Sequence, residues 1–542
     1  MVGRKNRKGE KMLELQKFLF ETEPSRKELI NYIPSKENPC YQIQVYRNHS
    51  FELVEHTIFP YLDYAGINVQ FLYSDYDDSL SFFQLEPSSN LLILWLDLER
   101  YKENKREEFI EERLTVLRSI YQKPILYIPF GEKKAGSYTN VICYHLDGVK
   151  EKLKKAYLDE RLEKWSGTKL SAESCKMIAK ELGLKYIPAL LKPLLKAIVV
   201  DLDYTLYRGV LGEDGMEHIE ISQDYLFLQR QLKLLAEQGF FLCMATKNEE
   251  KDVWELLEKR EDFLLKKEVW SVICASWEEK ADMIQTIADF LNIHTESILF
   301  IDDNIGEILS VLSRYPRIHV IHAHENPKIT SEMLAFYPGL MKLYQQKEDQ
   351  IRSADIKAKS ERLKMKQGLS KEEYIRSLDI RLTYKCNCLE NASRISELAN
   401  KTNQFIFSYK RYHISEIVDL MQRADSLVLS IFLQDKLSDS GLIGSCLIKK
   451  EWDRLVVEEC FVSCRALGRG IEEVIVLGAI YIAQQYFNIQ KVKILFCKGE
   501  RNKAAEKFLE DYAKENINQE KEIDYKLPRD QITIKIEGGI EI

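Results

Sequence analysis

The chain has 542 residues, 45% of them hydrophobic, and a formal net charge of -7 at pH 7. This length exceeds what one hydrophobic core supports, so several domains are expected. The acidic balance argues against nucleic-acid binding, because a phosphate backbone requires a positive surface. No apolar run reaches the roughly 18 residues of a membrane span, and no signal-peptide core is present. The 11 scattered cysteines indicate reduced thiols and a cytoplasmic location.

Residues 1–40 are predicted to form a helical lead, and residues 41–190 an α/β domain with a flavodoxin-like parallel sheet. The second segment alternates apolar runs with amphipathic helices, a pattern typical of a sheet covered on both faces. Its predicted strands are 41–46, 68–73, 90–96 and 123–129. The segment resembles an SGNH hydrolase, in which Ser50 would be the nucleophile. No partner base is visible, so a non-catalytic binding or covering domain is favoured.

The most informative stretch opens the next predicted domain, residues 191–340. An apolar, β-branched run at 196–200 predicts a buried strand, and Asp201 and Asp203 come at its end. Open α/β sheets place their ligand crevices there. Two close carboxylates repel each other, and a divalent cation is the usual remedy. The stretch therefore predicts a reactive metal site, against the alternative of solvated aspartates in a turn.

Three further features repeat this pattern of an apolar strand followed by reactive side chains. They are Thr246, Lys280, and the adjacent Asp302 and Asp303. In order and spacing the whole set resembles the four motifs of the haloacid dehalogenase (HAD) superfamily of phosphohydrolases and phosphotransferases, which have a Rossmann-like core. The interval from Thr205 to Thr246 holds one predicted helix, 225–238, and leaves no room for an inserted cap. The predicted site is therefore open.

The HAD resemblance implies a role for each of these side chains. Asp201 would be the nucleophile that attacks phosphorus, and Asp203 the general acid and base. Thr246 and Lys280 would hold the transferring phosphoryl group. The implied cofactor is Mg²⁺, and its ligand set is Asp201, Asp203, Asp302 and Asp303.

Residues 341–378 are rich in charge and predict a helical linker exposed to solvent. Residues 379–542 follow, and their Arg465-Ala-Leu-Gly468-Arg469-Gly470 lies between a predicted strand and an apolar helix. This R-x-x-G-x-G element resembles the pyrophosphate loop of GNAT acyltransferases and indicates an α+β domain. Amide groups at a helix N-terminus bind phosphate oxygens, and glycine permits close approach. Arg465, Gly468, Arg469 and Gly470 would thus bind coenzyme A or the phosphopantetheine arm of a carrier protein.

Domain order and local motifs together resemble the FkbH-like proteins. The matching motifs are 201–206, 209–215, 246–248, 300–304, 401–405 and 463–470. The resemblance implies transfer of a glyceryl unit from 1,3-bisphosphoglycerate, with loss of phosphate, to the phosphopantetheine thiol of an acyl carrier protein, as in polyketide biosynthesis. Cys464 is the favoured carrier of the acyl group within the chain, ahead of Cys243.

Departures from the family pattern leave the phosphorylated acyl donor open. Tyr204, Tyr207 and Arg208 replace the usual Asn, Trp and Gly of the first motif. An alternative hypothesis joins a small-molecule phosphatase to a coenzyme A-dependent N-acyltransferase, with Glu458 or Glu459 as its base. A third hypothesis is a non-enzymatic scaffold for carrier proteins, and the complete set of HAD-like side chains argues against it.

Overall fold

The described part of the chain folds into a mixed α/β structure with three sheets, and the predicted multidomain α/β fold class is confirmed. The computed structural model describes residues 2–101, 106–131, 141–343, 368–499 and 501–538, with several residues between 355 and 366. Two compact units are present, one made of residues 1–287 with 294–345 and the other of 288–293 with 346–542. Within the described part, no helix is long and apolar enough to cross a membrane. The finer domain boundaries within the first unit stay a prediction.

The first sheet is fully parallel, in the order β2-β1-β3-β4-β5. Its strands are β1 Cys40–Arg47, β2 Asn68–Tyr73, β3 Leu91–Asp97, β4 Ile125–Phe130 and β5 Ile142–Cys143. This is the flavodoxin-like order, so the sequence prediction is confirmed. The central strands β3 and β4 are buried along their whole length. Their continuous apolar sequence follows from burial on both faces of a parallel sheet.

Helix α1 is more than a peripheral lead, because it connects the first sheet's helices to the second sheet. The helices around the first sheet are α1 Val2–Phe20, α2 Arg26–Ile30, α3 Glu52–Tyr64, α4 Arg106–Ile120, α5 Asp147–Leu153, α6 Glu160–Ser166, α7 Ala172–Glu181 and α8 Ile187–Leu191. The buried Gln16 amide donates to the Tyr64 hydroxyl at 2.8 Å, and its oxygen accepts from the His322 amide at 3.0 Å. One side chain of α1 therefore binds both layers of this unit.

The second sheet is also fully parallel, in the order β10-β9-β6-β7-β8. Its strands are β6 Ala197–Val200, β7 Phe241–Thr246, β8 Val272–Ala275, β9 Ile298–Asp302 and β10 His319–His322. The accompanying helices are α9 Leu211–Asp214, α10 Gln223–Glu237, α11 Glu250–Lys259, α12 Lys280–Leu291, α13 Ile305–Arg314 and α14 Pro327–Ala335. Between β6 and β7 the fully described chain forms α9, α10 and two isolated bridges, Asp203–Tyr207 and Arg208–Glu220, so the predicted lack of an inserted cap domain is confirmed there.

The third sheet is mixed, in the order β16-β15-β14-β13-β12-β11-β17. Its strands are β11 Arg381–Cys386, β12 Ser426–Gln434, β13 Asp439–Glu451, β14 Arg454–Val462, β15 Lys491–Ile494, β16 Glu520–Glu522 and β17 Thr533–Glu537. The associated helices are α15 Lys371–Ser377, α16 Ala392–Lys401, α17 Ile414–Gln422, α18 Glu472–Phe487 and α19 Lys503–Tyr512. Strands β11 to β14 are antiparallel and β15 is parallel to β14. This is the predicted α+β architecture.

Much of the predicted linker, 341–378, lies outside the described residues. Where it is described, the expectation of a solvated segment is wrong at three positions, since Asp355, Ala358 and Arg362 are all buried. Arg362 Nε donates to Asp435 Oδ2 at 2.8 Å, and Arg469 Nη1 donates to the same oxygen at 2.8 Å. Arg469 Nη2 also donates to Asp355 at 3.0 Å. Two buried arginines and two buried aspartates thus form one ion-pair cluster.

We expect Asp435→Ala to lower the free energy of unfolding of the second unit by about 3–5 kcal/mol, because it leaves two buried guanidinium groups without their shared partner. Urea denaturation followed by circular dichroism measures the loss. The matched control is Asp453→Ala, which removes a solvent-exposed pair with Lys491 and should leave the midpoint unchanged. Equal midpoints for both variants would contradict a stabilising role of the cluster.

Candidate active site

Three carboxylates meet where two neighbouring parallel strands end. Asp201 directly follows β6, and Asp302 and Asp303 come at the end of β9. The Asp201 amide donates to the Ile301 carbonyl at 3.0 Å, which keeps the two strand ends together. One carboxylate oxygen from each aspartate lies within 4.8 Å of the other two. The carboxyl ends of adjacent strands thus create the concentrated negative charge that the sequence predicts.

Lys280 lies among these carboxylates at the start of α12. Its ammonium donates to Asp201 Oδ1 at 2.6 Å and to the Ala245 carbonyl at 2.6 Å. It also lies 3.3 Å from Asp302 Oδ2. Lys280 is only 2% exposed, and burial lowers its pKa, but the charges of Asp201 and Asp302 more than offset this effect and raise the pKa overall. Lys280 is therefore a fixed positive charge at neutral pH.

One ammonium is too little positive charge for three carboxylates. Burial raises the pKa of Asp201. Burial, followed by the charge of Asp201, raises the pKa of Asp302 to about 7 and that of Asp303 to about 6. Apart from its ion pair with Lys280, the buried Asp302 Oδ2 has no hydrogen-bond donor. Carboxylate oxygens in such a cluster are the hard ligands that Mg²⁺ prefers, so the residues fit the predicted cofactor.

The Asp203 carboxylate lies outside the group of three clustered carboxylates but lines the same cavity, and its predicted place among the metal ligands stays a prediction. Its Oδ1 accepts from the Tyr207 hydroxyl at 2.7 Å and from the Leu211 amide at 3.0 Å. Its Oδ2 accepts from Asn248 Nδ2 at 2.9 Å. Three donors therefore fix the orientation of this carboxylate beside the cluster. That arrangement suits the other predicted role, proton transfer, which depends on a group held at a defined position.

Thr246 lies at the end of β7 and is fully buried. Its hydroxyl oxygen accepts from Asn248 Nδ2 at 2.9 Å. The same amide nitrogen binds Asp203, so Asn248 connects the Thr246 position to the candidate acid and base. Asn248 is part of the motif 246–248, but the sequence did not predict a role for it. The feature that could have indicated one is its position two residues after Thr246.

The site opens into a cavity of about 200 Å³ at this edge of the sheet. Its lining residues are Asp201, Asp203, Tyr204, Lys247, Lys280, Asp302, Asp303, Asn304 and Glu307. Lys247 Nζ and Glu307 Oε1 form an ion pair of 2.6 Å, which the sequence analysis did not anticipate. Tyr204 has a φ of +52°, a left-handed conformation that asparagine tolerates better than a bulky residue. The departure at Tyr204 therefore puts backbone strain directly at the cavity.

The first sheet offers no serine–histidine pair at the predicted position of Ser50. The Ser50 hydroxyl donates to Glu52 Oε2 at 2.5 Å. The His49 ring bonds instead to the Thr168 hydroxyl at 3.0 Å and stacks on Trp95. Burial lowers the His49 pKa to about 3, so the ring is neutral. The prediction of a non-catalytic domain stays a prediction.

In the second unit, two groups of the glycine-rich loop have partners within the chain, and the loop's predicted binding of a cofactor stays a prediction. Arg469 is 3% exposed and committed to the buried ion-pair cluster, so it is not available to a phosphate. The Gly468 amide already donates to Glu472 Oε1 at 2.6 Å. Gly468 and Gly470 have φ values of +82° and +78°, which explains why glycine occupies both positions. The predicted cofactor contact of the partly exposed Arg465 stays a prediction.

Neither candidate cysteine lines the cavity. Cys464 follows β14 and is a partly exposed free thiol, so its acyl-carrier role stays a prediction. Cys243 is buried within β7, and burial raises its pKa, which makes it a poor nucleophile. Glu459, one of the two predicted bases, is fully buried with both oxygens hydrogen bonded. That position is wrong for a base that must reach an amine.

Comparison with known proteins gives weak structural likenesses. No family model and no curated protein matches the sequence. A solved structure of the N-terminal part of BF1531 from Bacteroides fragilis, which contains a phosphatase domain complexed with Mg, is 20% identical over 61% of this chain and 99% of its own, with a TM-score of 0.46. PaiA N-acetyltransferase from Thermoplasma acidophilum, in complex with coenzyme A, is 16% identical over 24% and 87%, with a TM-score of 0.19. Both TM-scores are below 0.5, so the function proposed below rests on the chain's own geometry.

In EDTA, we expect the free energy of unfolding to fall as pH rises from about 5 to about 8. The folded-state pKa values of Asp302 and Asp303, about 7 and about 6, lie above the ordinary value of 3.8. A raised pKa means that stability is present at low pH and is lost as these groups ionise in the folded state. Saturating Mg²⁺ should remove the fall, because the cation compensates the ionised carboxylates. Urea midpoints at both pH values, with and without Mg²⁺, measure this.

The variant that tests this explanation is Asp303→Asn. It should reduce the pH dependence in EDTA and weaken the rise in midpoint that Mg²⁺ produces, since both effects depend on the Asp303 charge. Identical Mg²⁺ responses in the variant and the unmodified protein would show that the cation binds elsewhere.

Proposed function

We propose that the chain is a Mg²⁺-dependent phosphohydrolase of the HAD type that uses Asp201 as its nucleophile. The observation that carries the proposal is the convergence of Asp201, Asp302, Asp303 and Lys280 on one open cavity at the end of a parallel sheet. Carboxylates and an ammonium at this spacing suit phosphoryl transfer, where catalysis depends on positioning and charge compensation.

The reaction divides into two displacements at phosphorus. An oxygen of Asp201 bonds to phosphorus while the bond from phosphorus to the ester oxygen breaks, and Asp203 gives the departing oxygen a proton. Water then attacks the phosphorus of the aspartyl phosphate, and Asp203 takes a proton from that water. The bond to Asp201 breaks, which releases phosphate and restores the enzyme. The hydrogen bonds from Tyr207 and Asn248 hold Asp203 in place for both proton transfers.

Charge compensation supports the first displacement. A carboxylate approaching a phosphate ester is repelled, and the Lys280 ammonium 2.6 Å from Asp201 reduces that repulsion. Asp201, Asp302 and Asp303 would hold the magnesium ion, which when bound supplies further positive charge for the phosphoryl oxygens. Thr246 would bind the phosphoryl group, as the HAD resemblance implies.

In its finer form, the proposal names a phosphorylated three-carbon acyl donor, such as 1,3-bisphosphoglycerate, and an acyl carrier protein as acceptor. The thiolate of Cys464 would attack the acyl carbonyl as the acyl phosphate leaves, and Asp201 would remove the remaining phosphate ester by the two displacements described above. The carrier's phosphopantetheine thiolate would then take the glyceryl group and release the Cys464 thiolate. This form rests on the FkbH-like resemblance. The lack of an inserted cap in the described interval between β6 and β7 supports it, because an open site admits a substrate carried on a macromolecule.

We expect Asp201→Asn to lower the rate of phosphate release by at least about 10³-fold, because the amide cannot serve as the nucleophile. Phosphate release from a generic ester, p-nitrophenyl phosphate, with Mg²⁺ present measures the rate. Asp224→Asn, a change in the first turn of α10 away from the cavity lining, is the matched control and should retain activity. Unchanged activity in Asp201→Asn, or equal loss in both variants, would refute the nucleophile assignment.

Acyl transfer is tested by intact-mass analysis with Mg²⁺, 1,3-bisphosphoglycerate and a holo acyl carrier protein. We expect a glyceryl adduct on the carrier, and a transient adduct on the chain that Cys464→Ser abolishes. Cys388→Ser is the matched control, since Cys388 is also partly exposed in the same unit. No adduct on either protein, with phosphatase activity intact, would refute the acyl-transfer form and leave the phosphohydrolase proposal standing.

A further inference from the structure

Strands β14 and β15 separate part-way along the third sheet. They pair from Arg454 opposite Lys491 to Val457 opposite Ile494. The last backbone bond between them joins the Leu495 amide to the Val457 carbonyl at 3.1 Å. Beyond this point, the edge of β14 that leads into the glycine-rich loop loses its partner strand. An unpaired edge of this kind is a ready template for any extended chain that carries amide groups.

A segment of the same chain occupies this edge. We call residues 405–410 the strap. The Phe407 amide donates to the Cys460 carbonyl at 3.1 Å, and the Val462 amide donates to the Phe405 carbonyl at 3.0 Å. Ile406 forms an antiparallel bridge with Phe461. On the strap's other side, the Cys497 amide donates to the Phe407 carbonyl at 2.9 Å. The strap is thus a short extra strand that fills the wedge between β14 and the chain following β15.

Glu459 on β14 anchors the strap. This carboxylate is fully buried. It accepts from the amides of Phe407 at 2.8 Å, Ser408 at 3.1 Å and Lys410 at 3.0 Å. The Ser408 hydroxyl donates to it at 2.8 Å as well. A buried carboxylate needs several donors to offset the loss of water, and here the strap's own backbone supplies most of them.

Side chains on either end of the strap add to the anchoring. Asn502, which is fully buried, donates through Nδ2 to the Ile406 carbonyl at 3.0 Å. Arg411 donates to the Thr402 carbonyl at 2.9 Å and to Asn403 Oδ1 at 2.6 Å. The strap's three apolar residues, Phe405 to Phe407, are buried. Removing the strap would therefore expose these side chains and leave Glu459 without most of its donors.

The same edge is where a pantetheine arm held by the glycine-rich loop would have to lie, because β14 runs directly into that loop. Such an arm is extended and carries two amides, so it would bond to the Cys460 carbonyl and the Val462 amide on this edge. Both of these backbone groups are bonded to the strap. The Gly468 amide is likewise bonded to Glu472, and Arg469 is buried in ion pairs. Four groups that would hold the cofactor, on Cys460, Val462, Gly468 and Arg469, therefore already have partners within this chain.

We propose that the strap is a permanent internal replacement for a pantetheine arm, and that this edge of β14 does not bind coenzyme A. The proposal assigns a structural role to Glu459 and to the motif Lys401–Phe405, whose end forms the start of the strap. It is independent of the phosphohydrolase site. It concerns only the β14 edge and leaves the partly exposed thiol of Cys464 open to attack from solvent.

Hydrogen–deuterium exchange on the full-length chain tests the proposal, with coenzyme A as the probe. We expect the amides of Phe407, Ser408, Lys410 and Val462 to be strongly protected and unchanged at millimolar coenzyme A. Isothermal titration should detect no binding at this edge. Coenzyme A binding accompanied by loss of protection across 405–410 would overturn the proposal. Rapid exchange of these amides without any ligand would also overturn it.

Glu459→Gln provides the variant test, with Glu458→Gln as its neighbour on the same strand. The first should speed exchange of the strap amides by at least tenfold, and the second by much less, because the Glu458 carboxylate pairs with the side chains of Lys449 and Lys410 rather than with the strap's amides. If Glu459→Gln fails to fold, Ser408→Ala removes a single anchor and should give a smaller acceleration confined to the strap. Phosphate release should be unchanged in all folded variants. Equal exchange in Glu459→Gln, Ser408→Ala and the unmodified chain would refute the anchoring role.

Discussion

The ammonium of Lys280, held between Asp201 and Asp302, is the interaction on which the candidate active site depends. Without it, the ends of β6 and β9 would bring carboxylates together in a buried place with no compensating charge. With it, the cluster still carries excess negative charge, and that excess creates a demand for a divalent cation. Lys280 thus stabilises the buried carboxylates in the folded chain and still leaves enough negative charge to bind a divalent cation.

Local patterns in the sequence predicted the strands and the reactive side chains well. The apolar runs before Asp201 and Asp302 are the buried ends of adjacent parallel strands, because hydrophobic periodicity reports burial directly. The absence of a cap followed from the short interval before Thr246. These features depend on residues close together in the sequence, which is why the sequence alone predicts them.

Contacts between distant residues were not predictable in this way. The buried pairing of Arg362 with Asp435 joins a charged segment expected in water to a strand end 73 residues later. Asn248 acquires its role only when β6 and β7 lie side by side. Arg469 was predicted to bind a cofactor phosphate and Glu459 to act as a base, because their residue types suit these roles. In the fold, both side chains are instead bonded to other groups of the chain. Charge alone does not tell whether a side chain faces a ligand or its own chain.

The hydrogen bond between Gln16 and the His322 amide spans 306 residues. Because Gln16 is synthesised 306 residues before His322, the contact of α1 with the second sheet can form only long after its contact with Tyr64 of α3. Until then, the part of α1 that packs against the second sheet and its helices would remain exposed and open to chaperones or to self-association. The order of synthesis therefore makes the docking of α1 on the second sheet a late step in the folding of the first unit during translation.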